Sequence, residues 1–172
     1  MSASTNTVDV LLIVDADRLL GGAAVKDSVS LVVQRSLVDP NADTQDEQDG
    51  GDELWFDVKK GDNIRWRGTT LSRNFDKSVV ITSVYAGNQP QGNTGGISPP
   101  QTLKFTGVPV AYLTQVDPPT FGSTPSTVTL WQATATDVGK LWYLIEFYLL
   151  DQDAQPINKT PYSWDPFITV TP

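Results

Sequence analysis

The chain has 172 residues, of which 39% are hydrophobic, and it carries a formal net charge of −8. This length and apolar content are typical of one folded domain rather than of a disordered segment. Cysteine and histidine are both absent from the sequence, which excludes disulfide bonds, thiolate metal sites and Ser-His-Asp or Cys-His catalysis, and we expect a protein that is not an enzyme.

The first half of the chain predicts strands separated by turns. Residues 1–7 are small and polar and predict a flexible N-terminal tail. Apolar and polar side chains alternate in Leu54–Val58 and again in Ile64–Arg67, and the turn residues Lys60-Gly61-Asp62 join these two strands. Other apolar or β-branched runs predict three more strands and one helical turn: Val8–Val14, Ser28–Val33, Ser78–Val84 and the turn Arg18–Leu20.

The second half of the chain is richer in aromatic residues and in proline. Residues 86–101 are rich in Gly, Pro and Asn and predict an exposed loop. Residues 107–125 contain four prolines, which forbid a helix and favour loops and sheet edges. The most hydrophobic run, Leu141–Leu150, predicts a long central strand. Shorter strands are predicted at Thr102–Phe105, Val110–Val116, Thr127–Ala133 and Phe167–Val170.

These elements predict an all-β fold in which residues 8–172 form a single antiparallel β-sandwich. The topology would be Greek-key, immunoglobulin-like or jelly-roll-like. No stretch is long and apolar enough to predict a membrane span. The N-terminus lacks the basic start and apolar core of a signal peptide, so a cytoplasmic location is expected, with unconventional export as an alternative.

Most of the negative charge lies in one predicted loop, residues 39–53. This loop contains seven of the 20 acidic residues and no basic residue, which leaves 13 acidic and 12 basic residues elsewhere. The chain therefore lacks the basic surface that nucleic acid requires, and no nucleic-acid partner is expected. The loop does not match an EF-hand; it is either a solvated acidic loop or a looser calcium site.

Two groups of residues have the chemistry of a sugar site. Sugars are bound by an aromatic face together with carboxylates, amides or arginine. Trp66 and Trp164 could instead be core residues, because their strand positions point inward. The predicted ligand-binding residues are Arg65, Trp66, Arg67, Asn74 and Asp76 in one group, and Asn158, Trp164 and Asp165 in the other.

Two pairs of aspartates stand at the ends of predicted strands. Asp15 and Asp17 follow the first strand, and Asp151 and Asp153 follow the strand Leu141–Leu150. If these two strands were neighbours, the four carboxylates would converge and could bind Ca²⁺, the one cofactor that the sequence suggests. The alternative is ordinary turn chemistry, in which each aspartate bonds to nearby backbone.

Four segments in order resemble the AidA/PixA family of bacterial inclusion-body proteins. The resemblance spans nearly the whole chain, although the family's inclusion-forming prototype is described as methionine-rich and Met1 is the one methionine here. The matching segments are VDVLLIVDAD, GDNIRWRGTTLSRNFDKSVVI, VGKLWYLIEFYLLD and PYSWDPFITV.

This resemblance implies a one-domain β-sandwich without known catalysis. It also implies association with cytoplasmic inclusions, with a bacterial host and with quorum-sensing-controlled expression. We therefore expect a non-catalytic protein that acts through self-assembly or binding, as a homo-oligomer. The alternative is a lectin that binds glycans, with or without calcium.

Overall fold

The structure is a computed structural model that describes residues 5–72, 75–87 and 92–172. These residues form eleven β-strands, one short α-helix and two 3₁₀ turns, so the prediction of an all-β fold is confirmed. None of the helices in these ranges is long and apolar enough to cross a membrane. The strands are β1 (Thr7–Val14), β2 (Val29–Val32), β3 (Trp55–Lys59), β4 (Asn63–Thr70), β5 (Ser78–Ala86), β6 (Gly96–Ile97), β7 (Gln101–Gln115), β8 (Thr120–Asp137), β9 (Gly139–Leu150), β10 (Tyr162–Trp164) and β11 (Phe167–Thr171); the helix is α1 (Ala16–Leu20), and the 3₁₀ turns are Val25–Asp27 and Arg35–Leu37.

The strands form two mixed sheets. In the first sheet the order is β2-β1-β4-β8-β6, with β7 also paired to β8; in the second it is β10-β9-β11-β3, with β5 also paired to β9. The β1–β4 and β11–β3 pairs are parallel, so the prediction of a purely antiparallel sandwich is wrong. Parallel neighbours need a long crossover, and here the chain supplies one by visiting the other sheet between them. The Greek-key or jelly-roll topology stays a prediction.

Both sheets contribute to one hydrophobic core. Alternate residues of β3 and β4 point inward, as predicted, and Phe56, Ile64 and Trp66 are wholly buried. Trp66 in the first sheet packs against Tyr143 in the second, with ring centroids 5.5 Å apart. The indole Nε1 of Trp131 in β8 donates a 2.9 Å hydrogen bond to the carbonyl of Ile81 in β5. The sheets are therefore joined by apolar packing and by a direct polar contact.

The predicted turn Lys60-Gly61-Asp62 connects the two sheets instead of closing a hairpin. It carries the chain from β3 in the second sheet to β4 in the first. Gly61 has a φ of +95°, a conformation that favours glycine. The carboxylate of Asp62 accepts hydrogen bonds from the backbone N–H groups of Lys59, at 3.1 Å, and Asn6, at 2.9 Å. The turn thus ties the entry of β1 to this corner.

The acidic loop, residues 39–53, covers the outer edges of both sheets. Gly50 donates to the carbonyl of Leu31 in β2, and Leu31 donates to the carbonyl of Gly51, both at 2.8 Å. At β3, Trp55 donates to Glu47 at 2.9 Å, and Asp39 donates to Trp55 at 3.0 Å. Two strands that would otherwise present free backbone groups are therefore paired with the loop.

Strands β7 and β8 form a long hairpin that leaves the body of the protein. Their pairing runs from Gln101–Gln132 to Gln115–Thr120. None of residues 104–129, all of which the structure describes, is buried; we call this segment the arm. Pro118 and Pro119 lie in the turn of residues 116–119, whereas Pro109 and Pro125 lie in β7 and β8, so the prolines occupy the loops and sheet edges that the sequence favours, and the predicted strand Val110–Val116 overlaps β7. Residues 88–91 of the predicted loop 86–101 lie outside the described residues, and β6 occupies part of the rest.

Candidate functional site

The first predicted sugar group is divided between the inside and the outside of the protein. Trp66 is wholly buried. Arg65 is on the outer face of the sheet, where its guanidinium forms a two-point ion pair with Asp9, at 3.1 and 3.0 Å. Trp66 is part of the hydrophobic core, which confirms the alternative of a core residue; it offers no ring face at the surface, and sugar binding by this group stays a prediction.

The remaining members of this group do not share a cleft. Arg67 is exposed and lines a cleft of about 350 Å³ between β5 and the base of the arm. Asp76 lines another cleft, of about 320 Å³, beside Asp17 and Lys77, whose side chains form a 2.7 Å ion pair. Asn74 lies outside the described residues. The structure therefore does not bring Arg67 and Asp76 together.

The second predicted sugar group holds loops in place. The Nε1 of Trp164 donates a 2.7 Å hydrogen bond to the carbonyl of Asp52 in the acidic loop. The side chain of Asn158 accepts a 3.1 Å hydrogen bond from the backbone N–H of Leu149 and donates to the carbonyl of Thr160. Burial, together with the nearby charges of Asp52 and Asp165, raises the pKa of Glu53. Trp164 and Asn158 are thus engaged with the backbone of the protein itself.

The four predicted calcium ligands do not converge. β1 and β9 belong to different sheets and are not paired, so the condition set for convergence, that the two strands be neighbours, is not met, and calcium binding stays a prediction. Asp15 caps α1 by accepting from the N–H of Arg18 at 3.0 Å. Asp151 accepts from the N–H groups of Asp153, at 2.9 Å, and Gln155, at 2.8 Å. The ranges that the structure describes contain no group of three or more acidic side chains able to hold a metal ion.

A row of three aromatic rings crosses the outer face of the second sheet. Phe167 in β11 lies between Trp55 in β3 and Trp142 in β9, with ring centroids 5.4 and 5.6 Å away. The ammonium of Lys140 lies over these rings, 3.4 Å from the centroid of Trp55 and 4.2 Å from that of Phe167. Cation–π contacts of this kind contribute about 0.5–2 kcal/mol each, so Lys140 fills the surface that the rings offer.

Next to this row lie two interacting carboxyl groups, those of Asp39 and Asp57. The hydroxyl of Thr169 accepts from Trp55 Nε1 at 2.8 Å and donates to Asp39 at 2.9 Å. Burial and the adjacent Asp39 raise the pKa of Asp57 to about 7. Burial opposes ionisation of Asp39 as well, but hydrogen bonds from Asn41, Asp57 and Thr169 hold its pKa below the usual value. Of the two, Asp57 therefore keeps its proton to the higher pH, and the hydrogen bond from Thr169 to Asp39 fastens the start of the acidic loop to the sheet.

The arm carries much of the exposed apolar surface of the described residues. Its large apolar side chains alternate with threonine, serine and alanine, and two charged residues, Lys104 and Asp117, lie between residues 101 and 133. Contiguous exposed apolar surface is a common mark of a contact site. The exposed fractions are 46% for Phe105, 41% for Val110, 49% for Tyr112, 51% for Leu113 and 75% for Phe121.

Sequence reasoning missed both the aromatic row and the continuity of the arm. The outward phase of Trp55 and Asp57 was readable from the alternation in β3, but their neighbours Phe167 and Lys140 are distant in sequence. A signal for the arm was present in the alternation of Val108, Val110 and Tyr112. It was outweighed by the prolines around it, which normally indicate loops.

The fold and these surfaces define a class of protein: a small β-protein with two mixed sheets and a projecting two-stranded arm. The sequence matches the PixA inclusion body protein family over residues 6–170. The chain belongs to this family.

Solved structures agree with this assignment. The crystal structure of an inclusion body protein (PixA) from Burkholderia cenocepacia J2315 aligns over 99% of both chains with a TM-score of 0.71, at 13% identity. This likeness supports the fold. The solution structure of Amebosin aligns over 70% of this chain and 90% of its own at 12% identity, and its TM-score of 0.29 is too low to indicate a shared fold. A comparison with curated proteins gives no match.

Proposed function

We propose that the protein is a non-catalytic assembly protein whose copies associate with one another through the arm. The observation that carries this proposal is the exposure of large apolar side chains along the arm, such as Tyr112 and Phe121. Burying such a side chain in an interface contributes about 1.5–3 kcal/mol. Side chains of this kind do not stabilise the monomer, because they contact little of its core.

The charge distribution supports association between like copies. Each chain carries a net charge of −8, and seven of its acidic residues lie in residues 39–53, so repulsion between two copies is concentrated at the acidic loop. The arm has no net charge, since Lys104 and Asp117 are its two charged residues. An arm-to-arm contact therefore adds no net repulsion of its own.

The family supports the same proposal. Members of the PixA family are described as inclusion body proteins, and an inclusion is an assembly of many copies. A location of the assembled protein in the cytoplasm is part of the proposal.

The test compares the intact protein with a variant that lacks the arm. Replacing residues 106–127 by Asn-Gly joins Phe105 to Val128, which already face each other across the hairpin, through a favourable two-residue turn. We expect the mass of the intact protein to rise with concentration in sedimentation velocity, and the shortened variant to remain monomeric. An intact protein that stays monomeric up to about 1 mM, near the weak limit of specific affinity, would exclude the proposal.

Glycan binding, the alternative function, has less support from the geometry. The clefts at Arg67, Asp76 and Asp57 have no aromatic side chain in their lining, and the rings of the aromatic row are covered by Lys140. A glycan array probed with and without EDTA tests this alternative and its calcium dependence together. Selective binding by the arm-deleted variant would favour it over assembly.

A further inference from the structure

We infer that two copies meet face to face through one apolar face of the arm, and not by pairing the edges of their strands. This inference rests on the proposed function and specifies its contact surface. It follows from three features of the arm: the alternation of its side chains, a bulge at Gly107 and the position of two prolines.

From its base up to Tyr112, the arm carries its large apolar side chains on one face. Residues directly opposite in an antiparallel pair share a face, and successive residues alternate between faces. Phe105 is opposite Val128, and Leu103 is opposite Leu130, which is buried at the base of the arm. The apolar face therefore consists of Leu103, Phe105, Val108, Val110, Tyr112 and Val128.

The bulge at Gly107 keeps this face continuous. The register shifts by one residue between Thr106 and Val108, and Gly107 has a φ of +74°, a value that favours glycine at a bulge. If Gly107 were paired like an ordinary strand residue, Pro109 and Ala111 would lie on the same face as Phe105. Because Gly107 bulges out of the pairing, Val108 and Val110 lie there instead, and Tyr112 packs across Gly122, where an added Cβ would lie 2.7 Å from the tyrosine ring.

Below its tip, the opposite face of the arm has no large apolar side chain and carries polar residues, alanine and a pair of prolines. It carries Lys104 and Thr106 near the base and Ala111 opposite Ser123 further along. It becomes apolar at its tip, where Leu113 is opposite Phe121. The two faces therefore differ along most of the arm.

The edges of the arm are blocked in the middle. Pro109 lies directly opposite Pro125, and neither residue has an N–H to give to the other. They must occupy a non-hydrogen-bonded position, where backbone groups point away from the partner strand. Each outer edge thus lacks a donor at its centre, which is a known way for proteins to prevent edge pairing.

A second copy is the occupant that the charges favour. The apolar face holds six partly or fully exposed apolar side chains, with the uncharged Thr124 and Ser126 among them, and an exposed apolar patch of a few hundred Å² is roughly the size at which such patches mark contact sites. Two identical, uncharged faces can bury each other across a two-fold axis without bringing like charges together.

The central test uses two neighbouring residues on opposite faces. Val110 and Ala111 are both exposed, so either should accept aspartate without loss of the fold. We expect V110D to raise the dissociation constant of self-association by roughly 100-fold or more, because a charge would be buried in the contact. A111D should change it by less than about threefold, and equal effects of the two variants would overturn the inference.

A second test restores the missing edge donors. The double substitution P109V/P125V gives each edge back its N–H group, while leaving the apolar face unchanged. If copies meet through faces, self-association should stay within about threefold of the wild-type value. Stronger association together with an insensitive V110D variant would show edge pairing instead.

These outcomes separate the inference from the proposed function. If deletion of residues 106–127 abolishes association but V110D does not, the arm is the contact and its apolar face is not. If the deletion has no effect, the proposed function itself fails. Circular dichroism of each variant checks that the body remains folded.

Discussion

The acidic loop and the arm treat exposed strands in opposite ways. The loop, residues 39–53, carries seven acidic residues and lies over the edges of β2 and β3. The arm, residues 104–129, carries two charged residues and leaves both edges and both faces uncovered. The acidic loop pairs with strand edges that would otherwise be free, whereas the arm leaves apolar side chains exposed.

This difference indicates that acidic residues and covering loops protect individual strand edges and do not extend over a whole sheet. β2 and β8 belong to the same sheet. The edge of β2 is covered by the acidic loop, whereas β8 extends into solvent with exposed apolar side chains. Edge strands that must not pair are commonly protected by charge or by a covering loop. At the arm, Pro109 and Pro125 give the edges local protection while the apolar face stays available.

The largest effect is expected from distorting the acidic loop. An added Cβ at Gly51 would lie 2.0 Å from the carbonyl oxygen of Asp46 in the same loop, so G51A must force these two residues apart beside the hydrogen bond between Gly51 and Leu31 of β2. We expect a loss of about 2–4 kcal/mol in the free energy of unfolding, measured by urea denaturation.

The matched control for this change is G50A. Gly50 has open space around its Cβ position but a φ of +91°, so alanine there should cost about 1 kcal/mol through backbone strain alone. If G51A is no more destabilising than G50A, the close approach of Gly51 to Asp46 within the loop is not as described.

Removing the indole anchor of the acidic loop should have a smaller effect. W164F deletes the hydrogen bond to the carbonyl of Asp52 and should cost about 1–2 kcal/mol. W131F deletes a similar bond to Ile81 between the sheets and serves as its control. Amide hydrogen exchange should rise within residues 39–53 for W164F only; a rise in both variants would mean that the loop is not separately anchored.

The carboxyl pair predicts that the attachment of the loop depends on pH. In the folded protein, burial and Asp39 raise the pKa of Asp57 to about 7, above its unfolded value near 4. The folded state therefore holds more protons between about pH 4 and pH 7, and its stability falls as pH rises through that interval. Because Asp57 is partly exposed, we expect a loss of about 1–2 kcal/mol.

The variant D57N isolates this contribution. It cannot ionise, so urea unfolding between pH 5 and 8 should show a flatter dependence than the wild type. Burial also raises the pKa of Asp52 and Glu53 in the loop, so some dependence of the same sign should persist. If the dependence of stability on pH were unchanged in D57N, Asp57 would not be a source of that dependence.

The smallest effect is expected in the arm. V110A removes two methyl groups from a side chain that is 41% exposed, and the stability of the monomer should change by less than about 0.5 kcal/mol. The measurement is urea unfolding at a concentration low enough to keep the protein monomeric. A larger loss would show that the arm contributes to the fold and would remove its contrast with the acidic loop.

Local features were predictable from the sequence, and features that depend on pairing were not. Alternation identified Phe56, Ile64 and Trp66 as inward residues, because burial on one face leaves a period of two. The same pattern says nothing about strand direction, so the parallel β1–β4 pair was missed. The pairing of three strands brings together Trp55, Phe167 and Lys140. Because these residues are distant in sequence, no short-range pattern predicts their contact.

The arm shows the same limit for a different reason. Each proline in residues 107–125 favours a loop when considered alone. Placed opposite one another at a non-hydrogen-bonded position, Pro109 and Pro125 cost the hairpin no internal hydrogen bond. The register between β7 and β8 allows these prolines to lie within a hairpin, and that register depends on the bulge at Gly107.

The passage of the chain between sheets has a consequence for how the protein folds. β2 and β4 lie in one sheet while β3 and β5 lie in the other, so neither sheet is a continuous piece of the chain. The first sheet is not complete until β8 has been made, and in the second sheet β3 must wait for β11 at the far end of the chain. Acquisition of structure should accordingly be slow and all-or-none, since the pairings that close each sheet join residues distant in sequence.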